Sequence, residues 1–231
     1  MQQSLFGDLL ETPSPDSTAF KAPLPAMTED TLLADAIFTV LDLETTGLQA
    51  KKNAITELVA IQYQHGEEIN RLSTLVKPTE SILENVVAIT GITDAMVANA
   101  PAPVVVLRDL CQLLGPEPLI VGHNVSFDIG FLQAKLEETG LQGYQSRVDL
   151  SKSLCTRVLA KKLLPGLPTY EGVAVAHACG VYNANPHRAE YDVKMTADTL
   201  WVLLKRLAEQ EPGIKTLGQL WAYQGALQSR L

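Results

Sequence analysis

Asp42 and Glu44 stand two residues apart in the stretch DLETTG, at the end of the apolar run AIFTVL. Side chains of a strand alternate between its faces. Phe38, Val40, Asp42 and Glu44 therefore share one face, with the two acids roughly 7 Å apart along it. Thr39, Leu41 and Leu43 face the other way. Two carboxylates on an apolar face repel each other and are poorly solvated. A hard divalent cation, Mg²⁺ or Mn²⁺, prefers oxygen ligands and relieves both costs. The pair alone fits equally well a strand that ends in solvent with both acids wet.

Further acids sit at telling places. Asp128, in GHNVSFDIGFL, falls in the first turn of a helix just after an apolar strand, where the helix dipole by itself favours a carboxylate. Asp192, in HRAEYDVKMTADTLWVLL, lies on the apolar side of an amphipathic helix in line with Thr196, Thr199 and Leu203. An acid there needs a partner: a cation, a salt bridge or a hydroxyl within the fold. His187 precedes Asp192 by five residues at the start of that helix, beside Pro186, where it can reach solvent and the end of the sheet. His65 in a turn and His177 in a helix read as structural, and His123, at a strand end, chiefly so.

The elements that position these residues follow from periodicity. A strand over Ala36–Glu44 and two more in ITELVAIQYQ and INRLSTLVKP, turned at Gly66, predict an antiparallel meander. Thr93 reads as the N-cap of a helix ending at Pro101, and Pro103 opens another that closes at Leu114 before Gly115. PLIVGHN is a short strand. Ser126 is expected to cap a helix running to about Glu138, and Gly140 to end it. Leu141–Ser153 has no clear period and is read as holding a strand or an insertion. TRVLAKKLLPG and YEGVAVAHACG read as helices, Asn185–Pro186 as the start of a long one, and IKTLGQLWAYQGALQSRL as a C-terminal helix against the core. The class is α/β, a mixed sheet flanked by helices.

Composition bounds the rest. The chain has 231 residues, 46% of them apolar and 19% charged, enough for one sizeable core. Residues 1–30 are rich in Pro, Ser and Thr and read as a disordered tether, leaving 31–231 as the domain with its C-terminal helical extension. There is no secretory pattern at the N-terminus and no apolar run near the ~18 residues of a membrane span. Cys111, Cys155 and Cys179 are too widely spaced for a zinc site, and their odd number suits a reducing, cytoplasmic setting. The net charge of −8 argues against a broad basic surface for long nucleic acid. Two bound divalent cations would bring it to about −4.

Asp42-Leu-Glu44-Thr-Thr-Gly47, Asn124-x-x-Phe127-Asp128 and His187-Arg-Ala-x-x-Asp192, in this order and at these separations, resemble the three motifs of the DEDDh exonucleases. This is the superfamily of the epsilon proofreading subunit of bacterial DNA polymerase III. The similarity runs from about Ile37 to Glu209. It implies an RNase H-like fold with a mixed five-stranded central sheet, and release of nucleoside 5′-monophosphates from a nucleic-acid 3′ end, with DNA and RNA not separated by the motifs. It also implies two divalent cations, Mg²⁺ or Mn²⁺: Asp42 bridges both, Glu44 and Asp192 complete one site, and Asp128 holds the other. His187 is then the general base. Thr45, Thr46, Gly47 and Leu48 are expected at the terminal nucleotide, with Asn124 and Phe127 lining the same pocket. The chain departs from many family members at Thr90, where they carry His before Gly-Ile.

Gln2-Gln-Ser-Leu5-Phe6 resembles the bacterial sliding-clamp-binding motif. Leu5 and Phe6 suit an apolar pocket and Gln2 offers amide hydrogen bonds. A tether of about 30 residues reaches roughly 30 Å, and tethering raises the local concentration to the millimolar range. The expected partners are DNA 3′ ends, a sliding clamp and DNA polymerase III, with no membrane. An RNA exonuclease of the same superfamily and a non-catalytic clamp or polymerase adaptor are the competing functions; the clamp-like motif favours DNA, and the full acid set speaks against the adaptor.

Overall fold

The apolar runs pair as their alternation requires. A computed structural model describes residues 24–182 and 188–228. β1 (Phe38–Thr45) pairs antiparallel with β2 (Ile55–Gln64), and β2 with β3 (Glu67–Leu75). His65 and Gly66 both have left-handed φ angles, 54° and 83°, as a two-residue turn that matches strand twist needs. β4 (Leu119–Gly122) and the two-residue β5 (Leu154–Cys155) run parallel to β1, giving the order β3-β2-β1-β4-β5.

Helices cover both faces. Leu41 and Leu43 pack with α3 (Pro103–Leu114) and α4 (Ser126–Glu138). Phe38 and Val40, on the other face, pack with α5 (Thr156–Leu163), α6 (Gly172–Ala178), α7 (Ala189–Gln210) and α8 (Leu217–Gln228). The Phe38 and Trp201 rings meet edge to face at 5.2 Å. Two short helices, α1 (Glu84–Thr90) and α2 (Asp94–Val97), lie between β3 and α3. Gln224 on α8 completes β5, taking the Cys155 N–H at 2.6 Å and donating to the Ser153 carbonyl at 2.9 Å.

Several expectations need correction. The folded body takes in residues 24–30, assigned above to the tether. Met27 is buried and its N–H donates to the Glu117 carbonyl at 2.9 Å, while Gly218 N–H donates to Glu29 O at 2.9 Å. A Cβ at Gly218 would stand 2.8 Å from that of Glu29, so the glycine makes room for this arm. Polar, Pro-rich composition disfavours regular structure, but the buried Met27 and the backbone bonds to Glu117 and Gly218 dock the arm without it. Ser126 does not cap α4. It is the first helical residue, and the chain enters through Asn124 (φ 67°) and Val125. Leu141–Ser153 holds two 3₁₀ turns, Gln142–Arg147 and Leu150–Lys152, and α2 ends four residues before Pro101. Asn185–Pro186 lies outside the described residues, and α7 is assigned from Ala189.

Candidate active site

β1 delivers Asp42 and Glu44 to the face covered by α7, and the first turn of α7 delivers Asp192 to the same place. One carboxylate oxygen from each of the three lies within 4.8 Å of the other two. All three residues are half-buried. Asp128, buried in the first turn of α4, approaches from across the end of β1, close enough that its charge acts on Asp42.

The electrostatics of this cluster are set first by burial and then by like charge. Burial pushes the Asp42 carboxyl well above the ordinary range, and Asp128, Glu44, Asp192 and Glu57 add to it. Burial raises Glu44 to about 7, with Asp192 and Glu57 adding and Arg188 opposing. Burial raises Asp128 to about 8, although the N–H groups of Asp128 and Leu43 pull the other way. Such a set of oxygen donors, short of positive charge, fits a hard divalent cation.

Stability in chelator should therefore fall as pH rises. Between the ordinary carboxylate values of 3.8 and 4.5 and the folded values of about 8 and 7, the folded protein holds more protons than the unfolded chain. The slope of stability against pH is then negative, and the stabilisation present below pH 4 is lost by about pH 8. Mn²⁺ should restore stability most at the upper end, because it binds the ionised ligands. Urea denaturation across this window in EDTA checks the sign; stability that climbs with pH would mean that the acids are already neutralised within the fold.

Glu57 is the residue that reading the sequence missed. It stands directly opposite Glu44 in the β1–β2 register, just before a bulge. Like charges so placed are destabilising. Glu57 is buried, and its carboxylate is satisfied from α7: it accepts the Ala189 N–H at 3.1 Å and pairs with Arg188 at 3.2 Å. It thereby caps the helix that carries Asp192. The signal was available, since Glu57 is the one charged residue in ITELVAIQYQ and shares the inward face of Val59 and Ile61.

The loop after β1 is held from within. The buried Thr46 hydroxyl bonds to the Glu80 carboxylate and accepts the Ala54 N–H at 2.9 Å. Thr45 donates to the Gly47 carbonyl at 2.7 Å. A Cβ at Gly47 would meet the Asn53 amide at 2.7 Å, so the space that glycine frees is taken by the loop itself. Leu48 is 83% exposed. Asn124 is exposed at the entry to α4, whereas Phe127 is partly buried with its ring 4.9 Å from that of Phe131. Thr90 turns its hydroxyl inward, to Val86 O and Ile92 N, both at 3.1 Å. Both His123 ring nitrogens are bonded inside the fold, to Thr156 and Tyr170. His187, Gln2, Leu5 and Phe6 lie outside the described residues. No described helix is long and apolar enough to cross a membrane.

The chain is similar to known proteins over most of its length. The RNase_T family, described as exonuclease, matches residues 39–200. DNA polymerase III subunit epsilon of Aquifex aeolicus is 34% identical over 175 residues, covering 76% of this chain and 84% of that protein. A PolC-type DNA polymerase III of Oceanobacillus iheyensis is 35% identical over 193 residues, covering 82% of this chain but 13% of that protein. The chain thus spans a small part of the PolC-type relatives it matches. Among solved structures, exonuclease X in complex with 5′ overhanging duplex DNA aligns with a TM-score of 0.58 at 28% identity, over 81% of this chain and 99% of that one. Escherichia coli exonuclease I in complex with an oligonucleotide aligns with a TM-score of 0.64 at 20% identity, over 82% of this chain and 43% of that one, a likeness of fold. By the span of the family match and the identity to the epsilon subunit, the chain belongs to the RNase T exonuclease family and has its RNase H-like fold.

Proposed function

We propose that the protein is a metal-dependent 3′→5′ DNA exonuclease that releases nucleoside 5′-monophosphates in replication proofreading or repair in the cytoplasm. The observation that carries this reading is the meeting of Asp42, Glu44 and Asp192 within 4.8 Å, with Asp128 beside them. The epsilon subunit and the exonuclease X–DNA complex support DNA as the substrate.

Asp42, Glu44 and Asp192 would hold one cation, and Asp42 and Asp128 a second, either Mg²⁺ or Mn²⁺. Bound there, the two ions supply Lewis acidity at the scissile phosphate and favour an ionised nucleophile. The chain does the rest. His187 takes a proton from the attacking water, a role suited to imidazole near neutral pH. Thr45, Thr46, Gly47 and Leu48 form the rim at the terminal nucleotide. Leu48 is exposed and free to wedge against a base, while the Thr46 hydroxyl, spent on Glu80, acts by holding the loop. Asn124 and Phe127 form the opposite wall. A polymerase III assembly is the setting that the epsilon relative favours.

The test is incubation with single-stranded, 3′-recessed and mismatched DNA and with matched RNA, in Mg²⁺, Mn²⁺ or EDTA, with His187→Ala beside the natural protein. Shortening of DNA from the 3′ end that needs metal and His187 is expected. Shortening of RNA alone would replace the DNA reading, and no cleavage by folded, metal-supplied protein would favour the adaptor.

Gln2, Leu5 and Phe6 are proposed to bind a sliding clamp. A clamp pull-down should succeed with the natural chain and fail with Leu5→Ala/Phe6→Ala; equal recovery of both would reject the motif.

A further inference from the structure

Along α5 the charge of this acidic chain reverses. From Leu150 to Tyr170 the sequence carries Lys152, Arg157, Lys161 and Lys162 and no acid, against a net charge of −8 for the whole. Lys152 is paired with Glu117 at 2.7 Å. Arg157, Lys161 and Lys162 form no ion pair among the described residues. Arg157 and Lys161, four apart, share a helix face. With Asn124 and Ser126 they line an open groove of about 420 Å³. Arg157 Nη1 reaches Asn124 Oδ1 at 3.5 Å, an exposed contact, and its terminal nitrogens make no other hydrogen bond among the described residues. A guanidinium with unspent donors is shaped to take anionic oxygens.

The sheet sets where this groove lies. β1, β4 and β5 are parallel, so their C-terminal ends share one edge of the sheet. Val40, Val121 and Leu154 stand in one row across them. From that row β1 continues to Asp42 and β5 runs into Arg157, two strand spacings or roughly 10 Å apart. The groove therefore starts at Asn124, four residues before Asp128, and leads away from the acids across the ends of β4 and β5.

We propose that this groove holds the sugar-phosphate backbone of the substrate strand on the 5′ side of the bond being cut, with Arg157 and Lys161 as its phosphate contacts. The inference rests on the exonuclease reading above. An acidic protein repels a polyanion, so a short stretch of unpaired cations at the mouth of the site is where attraction concentrates. Among the described residues no aromatic side chain lines the groove, so they offer charge without a stacking platform. Contacts of that kind position a strand without reading its bases.

The test uses the full chain and a fluorescein-labelled oligothymidylate about twelve nucleotides long. Binding is followed by anisotropy against KCl concentration, with Ca²⁺ in place of Mg²⁺. Arg157→Ala/Lys161→Ala should reduce the slope of log K against log salt by about 1.4, since each lost phosphate contact on a single strand is worth about 0.7. In Mg²⁺ its KM for the oligonucleotide should rise about tenfold with kcat little changed, the pattern of lost uniform binding. Hydrolysis of thymidine 5′-monophosphate p-nitrophenyl ester, which has no phosphate beyond the one cut, should be unaffected. Arg157→Lys/Lys161→Arg should restore the slope, and Lys205→Ala/Lys215→Ala, at two exposed cations elsewhere, should leave it intact. An unchanged slope and KM, or equal losses on both substrates, would overturn the proposal. Natural protein that binds the strand but cleaves neither substrate would count against the nuclease reading, while the salt slope would still decide the groove.

Discussion

Asp42→Asn should abolish hydrolysis and at the same time stabilise the metal-free protein. The loss of activity should reach about 10³-fold or more, because metal-borne charge stabilisation is worth several kcal/mol in the transition state. Asp42 is the acid on which the others converge: Asp128, Glu44, Asp192 and Glu57 all bear on its carboxyl, after burial itself. An amide of the same shape ends that repulsion and lowers the cost of burial. Thermal unfolding in EDTA at pH 8 should therefore occur at a higher temperature in the variant. Added Mn²⁺ should raise the transition of the natural protein and barely move that of Asp42→Asn. A variant that melts earlier in EDTA would show that the carboxylate is stabilised by the fold itself. Activity kept within tenfold would remove Asp42 from the ligand set.

Glu57→Ala should cost both stability and activity, although Glu57 is not a member of the carboxylate cluster. Two of its bonds are at stake, and their environments decide the outcome. The Arg188 side chain is 46% exposed, so that ion pair is worth at most about 1 kcal/mol. The bond from the Ala189 N–H is buried and charge-assisted, worth roughly 1.5–3 kcal/mol. The second bond matters more, and Glu57→Gln can keep it through its amide oxygen. Glu57→Ala should lose about 1–3 kcal/mol of stability. Its activity at limiting Mn²⁺ should fall about 10–100-fold, the usual effect of removing a group that orients a metal ligand. Glu57→Gln should recover most of both. The electrostatic effect runs the other way, because removing Glu57 removes a charge that raises Asp42 and Glu44. A Mn²⁺ half-saturation unchanged or improved in Glu57→Ala would thus mean that Glu57 serves the fold alone. A weaker one, rescued by Gln, marks it as a positioning residue for Asp192.

Much of the architecture was legible because it depends on local rules. The alternation that put Asp42 and Glu44 on one face, apart from Leu41 and Leu43, is the alternation that divides the two cores. Ile55–Gln64 and Pro103–Leu114 have the bounds expected from strand composition, from Pro at the first helical position and from Gly115 with φ 68°. Dihedral preference and side-chain period act over a few residues, so a sequence displays them directly. The two-residue β5 escaped because it is too short to show a period, and the seven-residue α1 was not read either.

The sequence by itself determined which acids had to be explained, and the order of motifs that ties this chain to its family. Only the tertiary structure decided which acids meet. Asp192 reaches Glu44 because α7 packs across β1 and β2, and no local pattern encodes that approach. The cap at the start of α7 comes from Glu57 on another strand, so it leaves no capping signal near Ala189. Residues 24–30 look like a tether until Met27 is seen in its socket. Each of these is a contact between segments far apart in the chain. Their free energy comes from burial and from charge brought together by the sheet order, quantities that exist only once the strands have paired.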